Sequence, residues 1–86
     1  MKIRYTLYNG GFTINTNEIL ESIEVNTKGN NLLEAIKQRH FNKLYKKYMP
    51  SNFKSYYYRL IGPVNDGSIW IDFGSHSKFI KAEEVK

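Results

Sequence analysis

The chain has no cysteine among its 86 residues, which excludes disulfides and thiolate metal sites. Nothing staples the fold covalently. Small secreted domains usually depend on such staples, so a cytoplasmic home is expected. Apolar runs are short, and none approaches the ~20 residues of a membrane helix. Met1-Lys2-Ile3-Arg4 lacks the apolar stretch of a signal peptide, and no membrane partner is expected. There is no repeat, linker or low-complexity segment. Prolines number only two, Pro50 and Pro63, and both fall where an element is expected to end. Eighty-six residues make one small domain, 1–86, with a modest core.

Acidic residues are scarce in the middle of the chain. Residues 31–60 carry Lys37, Arg39, Lys43, Lys46, Lys47, Lys54 and Arg59 against Glu34 alone, seven cations to one acid. The flanking segments are nearly neutral, so the formal net charge of +5 belongs to this stretch. A localised basic face attracts phosphate or an acidic protein surface. Aromatic residues are plentiful, with seven Tyr, five Phe and one Trp. Most are read as core and sheet residues, because large rings fill a small core efficiently.

Residues 2–8 alternate, with Ile3, Tyr5 and Leu7 on one face, and predict a half-buried strand. Asn9-Gly10-Gly11 is a tight-turn signal, and Phe12 and Ile14 resume the alternation as the return strand of a hairpin. Residues 16–26 read either as a short helix capped by Asn17 or as a third strand. Ile23 and Val25, stiff at χ1, favour the strand. Residues 31–48 predict one helix, opened by an Asn31/Glu34 capping box and closed by Pro50. Its apolar stripe holds Leu33, Phe41, Leu44 and Tyr48, flanked by Leu32 and Ile36. Lys37 falls inside that stripe, which requires a local rotation of the helix or a snorkelling side chain. His40 sits at the stripe's edge as a packed histidine. Residues 53–61 predict an aromatic strand, 69–73 another, and 78–82 a last short one before a frayed tail at 83–86. The order ββ(β)αβββ points to an α+β two-layer sandwich, an antiparallel sheet of about five strands under one amphipathic helix. The other sheet face would carry Tyr8 and Trp70.

Three chemistries are open to this pattern. The first is a basic ridge of Arg39, Lys43, Lys46 and Lys47, continued by Lys54 and Arg59 and interleaved with Tyr56 and Tyr58. Cations track phosphates and rings stack on unpaired bases, so DNA or RNA is a candidate partner. Lys46 and Lys47 also suit a helix C-terminus by opposing the macrodipole, whereas Arg39 and Lys43 lie too far back for that. The second is Gly74-Ser75-His76 followed by Phe79. This resembles the glycine-serine-histidine motif of HicA-type toxin ribonucleases, which have folds like double-stranded-RNA-binding domains. The resemblance implies His76 as general acid/base. In that family the motif lies centrally after an N-terminal helix, whereas here it follows several strands. No carboxylate stands at ligand spacing to His40 or His76, and no phosphate loop or other cofactor motif is present.

The third is a protein-binding module. In short length, absence of Cys and richness in Lys, Asn, Ile and Tyr, the chain resembles small phage and mobile-element accessory proteins of low-GC Gram-positive bacteria. Many of these inhibit host machinery, including anti-CRISPR proteins. The resemblance is compositional. It implies a non-enzymatic, phage-encoded inhibitor of a bacterial defence nuclease, bound to a host protein or ribonucleoprotein complex. Trp70 or Tyr58, ringed by Arg59 and Lys54, would be its hot spot, since Trp, Tyr and Arg dominate binding energy. An open sheet with exposed rings could also pair into a homodimer.

Overall fold

Five strands and two short helices run in the order β1 (Lys2–Asn9), β2 (Glu18–Asn26), α1 (Leu32–Ala35), α2 (Gln38–Tyr48), β3 (Arg59–Ile61), β4 (Ile69–Asp72) and β5 (Lys78–Val85). They come from a computed structural model that describes residues 1–10, 18–48, 58–73 and 78–86. The strands form one antiparallel sheet in the order β2-β1-β5-β4-β3. The two helices lie in sequence between the edge strands β2 and β3, so the chain crosses the sheet from one edge to the other. This is the expected α+β sandwich.

Period-two alternation decides which side of the sheet meets the helices. Ile3, Tyr5 and Leu7 of β1, Ile69 and Ile71 of β4, and Ile80 and Ala82 of β5 are buried on one face. Leu32, Ala35 and Ile36 join Phe41 and Leu44 of α2 to cover them, and Ile23, Val25, Tyr58 and Leu60 seal the margin. Phe41 is fully buried and sits 5.6 Å from the Tyr5 ring. Tyr58 meets Phe41 edge-on, with ring centroids 5.5 Å apart.

The expected single helix is two. The Asn31 side chain accepts from Glu34 N at 2.9 Å, and Glu34 reaches back to Asn30 N at 3.1 Å, so the capping box forms one residue wider than drawn. The helix then stops at Ile36, whose backbone is extended, and restarts at Gln38. This break explains Lys37. The phase of the apolar stripe resets there, which returns Lys37 to solvent and buries Ile36. It also corrects Leu33, which is 48% exposed while Leu32 takes the core position.

Tyr5 marks the break from below. Its hydroxyl lies 2.6 Å from His40 Nδ1. His40 N donates in turn to the Lys37 carbonyl at 3.0 Å. Burial pushes the Tyr5 hydroxyl up to about 12, so it keeps its proton. Burial first, then Arg39 and Lys37, hold His40 below its ordinary value. The Tyr5 hydroxyl and the Nδ1 atom of His40 share one hydrogen bond, whose donor is set by the imidazole tautomer.

Two further expectations need correction. Residues 83–86 are not a frayed tail, because β5 runs to Val85 and pairs along all of β1, from Lys2↔Val85 to Asn9↔Lys78. Arg4 fixes this end by bonding Glu83 on β5 at 3.1 Å and Glu24 on β2 at 2.9 Å. The aromatic strand expected over 53–61 is a strand only at Arg59–Ile61 among the described residues. Residues 16–26 settle as strand from Glu18 onward. The expected strand at Phe12 and Ile14 and the stop at Pro50 lie outside the described residues. Gly62 closes the β3–β4 turn at φ +125°, a conformation that side chains with a Cβ rarely adopt.

Candidate functional site

The basic ridge belongs to α2. Phe41 and Leu44 turn its inner side to the sheet, and at 100° per residue Arg39, Lys43 and Lys46 fall on the opposite side. All three are exposed. They occur in a single row over about 10 Å of helix, taking a rise of 1.5 Å per residue. Among the described residues, none of them makes an ion pair. Lys37, exposed just before the same helix, adds a fourth charge. Its sign in the sequence was its misfit to the apolar stripe, which read as an anomaly in the core and not as part of a basic face.

Lys47 leaves the ridge. It rotates toward β2 and bonds Glu21 at 2.6 Å, and Tyr48 donates to the same carboxylate oxygen at 3.0 Å. The Lys47 and Tyr48 hydrogen bonds hold the Glu21 carboxylate below its usual range, and Glu21 raises Lys47 in return. This clasp ties the C-terminal turn of α2 to the edge strand.

Among the described residues, Tyr58, Arg59 and Trp70 do not gather around the ridge. Arg59 bonds Asp72 at 2.9 Å across the β3–β4 pair, on the sheet face away from the helices. Trp70 lies on that same far face. It stacks on Phe79 at 4.8 Å, and Tyr8 stacks on Phe79 at 5.1 Å. Tyr58 is half-buried on the opposite face against Phe41. Arg59 and Trp70 therefore share the far face of the sheet, while alternation along β3 sends Tyr58 to the helix side. Lys54, Tyr56 and the His76 motif lie outside the described residues.

Charges on the far sheet face are locally balanced. Arg4 lies between Glu24 and Glu83, Lys2 lies 3.9 Å from Glu24, and Lys81 bonds Asp66 at 3.0 Å. Asp66 also accepts from Ser68 N and Ser68 Oγ. The Ser68 bonds and then Lys81 hold the Asp66 carboxylate well below its usual range. The shallow hollow between Asp66, Gly67, Ser68, Glu83, Glu84 and Lys86 is thus built around a carboxylate that its neighbours already engage. Among the described residues no cluster of acidic and histidine side chains is placed to hold a metal ion, and no helix is long and apolar enough to cross a membrane. No protein-family model, curated protein or solved structure matches this chain.

Proposed function

We propose that this chain is a non-enzymatic nucleic-acid-binding regulator that holds phosphates on the outer side of α2. One observation carries the reading. Arg39, Lys43 and Lys46 stand exposed in a row without an acid, while Lys2, Arg4, Lys47, Arg59 and Lys81 are drawn into ion pairs with Glu24, Glu83, Glu21, Asp72 and Asp66. A row of unneutralised cations gains free energy when it displaces counterions from a phosphate backbone.

The other expectation, a phage-encoded inhibitor of a CRISPR-type nuclease acting by protein–protein binding, leans on a ring-and-arginine hot spot. Of its residues, Arg59 and Trp70 share the far face of the sheet, where Arg59 bonds Asp72, and Tyr58 packs on Phe41 on the helix side. The two readings meet in an inhibitor whose ridge holds the guide or target nucleic acid of such a complex. The test is capture from a bacterial lysate with and without nuclease treatment, using the wild type and an Arg39→Glu/Lys43→Glu/Lys46→Glu variant. Nuclease-sensitive nucleic acid that the variant no longer retains supports the reading. A protein partner that survives nuclease, with no nucleic acid retained, overturns it.

A further inference from the structure

Lys47 belongs to the ridge by position and is kept from it by a contact. It follows Lys46 directly and stands four residues after Lys43, one turn further along the same helix. Its backbone direction lies only about 40° from that of Lys43. Its ammonium nevertheless turns to β2 and sits 2.6 Å from Glu21 Oε1. The Tyr48 hydroxyl donates to the same oxygen at 3.0 Å. Two donors thus converge on one anionic oxygen, as they would on an oxygen of phosphate. Their hydrogen bonds keep the Glu21 carboxylate ionised.

Glu21 is also out of pattern on its strand. The pairs Leu7↔Glu21, Tyr5↔Ile23 and Ile3↔Val25 place it on the helix side of β2, in register with Ile23 and Val25, which pack against the core. An apolar side chain would continue that face. The position instead holds a carboxylate at the end of a basic row. The contact it makes is open to exchange. The Lys47 side chain is 62% exposed and that of Glu21 30%, and ion pairs so open to water hold weakly and are screened by salt. Lysine is a point charge on a flexible stem, so a phosphate held by Lys43 and Lys46 competes with Glu21 for a cation within one turn.

We infer that Glu21 is an internal competitor of nucleic-acid phosphate: it fills an anion subsite made by Lys47 and Tyr48 and so limits the ridge to Arg39, Lys43 and Lys46. This rests on the nucleic-acid reading above and adds a regulation to it. The carboxylate sets a ceiling on affinity, and withdrawing its charge admits a fourth cation. One more neutralised phosphate steepens the salt slope by about 0.9 on duplex DNA and by about 0.7 on a single strand. With equal affinity at 1 M salt, the gain on the duplex is about eightfold at about 100 mM.

The experiment is fluorescence anisotropy over a salt series on the full chain, with a DNA duplex and a single-stranded RNA as probes. The wild type is compared with Glu21→Gln, Glu21→Gln/Lys47→Gln and Glu24→Gln. Glu21→Gln should bind more tightly and show the slope steepened by about 0.9 on the duplex or about 0.7 on the single strand. Adding Lys47→Gln should abolish that gain. Glu24→Gln makes the same change of net charge on the same strand, but Glu24 bonds Arg4 on the far face, so its slope should stay at the wild-type value. An unchanged slope in Glu21→Gln marks a clasp that only ties helix to strand, and overturns the inference. An equal gain in Glu24→Gln, or a gain that survives Lys47→Gln, reduces the effect to net charge and overturns it too. Each of these leaves the nucleic-acid reading standing. Failure of every protein to bind either probe at low salt overturns both.

Discussion

Tyr5 shows how much one hydroxyl can organise. Its ring fills the core against Phe41 while its oxygen reaches the start of α2 and meets His40. Removing it in Tyr5→Phe leaves a part-buried ring nitrogen of His40 without its partner, and the expected cost is about 1 kcal/mol, visible as a lower urea midpoint. The pH dependence has a defined sign. The fold holds His40 below the value of a free imidazole, so on acidification the unfolded chain takes up a proton that the folded chain refuses. Stability should therefore fall as pH drops through about 6.5 and level off below the folded-state value. A His40→Gln variant should show a flatter urea midpoint between neutral and mildly acidic pH than the wild type. Equal slopes for the two proteins would remove His40 from the account. His40 was legible from its place at the stripe's edge. Its partner was not, because Tyr5 lies 35 residues away in sequence and only the sheet brings them together.

At the scale of elements, alternation made β1 and β4 legible, and the capping pair Asn31/Glu34 located the start of α1. The sequence signals failed where a long-range pairing decides the outcome. Glu83-Glu84-Val85-Lys86 reads as a charged tail because one face of β5 there meets solvent, yet the backbone bonds to β1 and Glu83 bonds Arg4. The helix break was visible only as the misplaced Lys37, since a stripe that resets its phase looks like a single noisy stripe. The same blindness affected the site. Arg59 and Trp70 share the far face of the sheet, but alternation sends the neighbouring Tyr58 to the helix side. Deleting residues 83–86 tests the extended β5. The shortened protein should melt clearly lower and lose hydrogen-exchange protection at Lys2 to Arg4, because the Arg4–Glu83 bond and the paired end of the ladder are gone. A frayed tail would leave both unchanged.

Across the whole molecule, charge is distributed by layer. In the sheet layer Arg4, Arg59 and Lys81 are ion-paired, and in the helix layer Arg39, Lys43 and Lys46 stand exposed on the side away from the core. Folding does not require those cations, so neutralising Arg39, Lys43 and Lys46 should leave the melting temperature nearly unchanged. Lys46 is the position where a small loss is expected, since it lies in the last turn and opposes the helix dipole. The functional face is thereby separable from the fold, which is the central claim. Its most direct test is the salt dependence of duplex DNA binding for the wild type beside the Arg39→Gln/Lys43→Gln/Lys46→Gln variant. Three phosphate contacts predict a slope near −2.7, a loss of about 40-fold in affinity between about 50 and 200 mM salt. In the variant the slope should collapse toward zero. A steep slope that the variant retains would place the binding charge elsewhere on the molecule and contradict the assignment of α2 as the functional face.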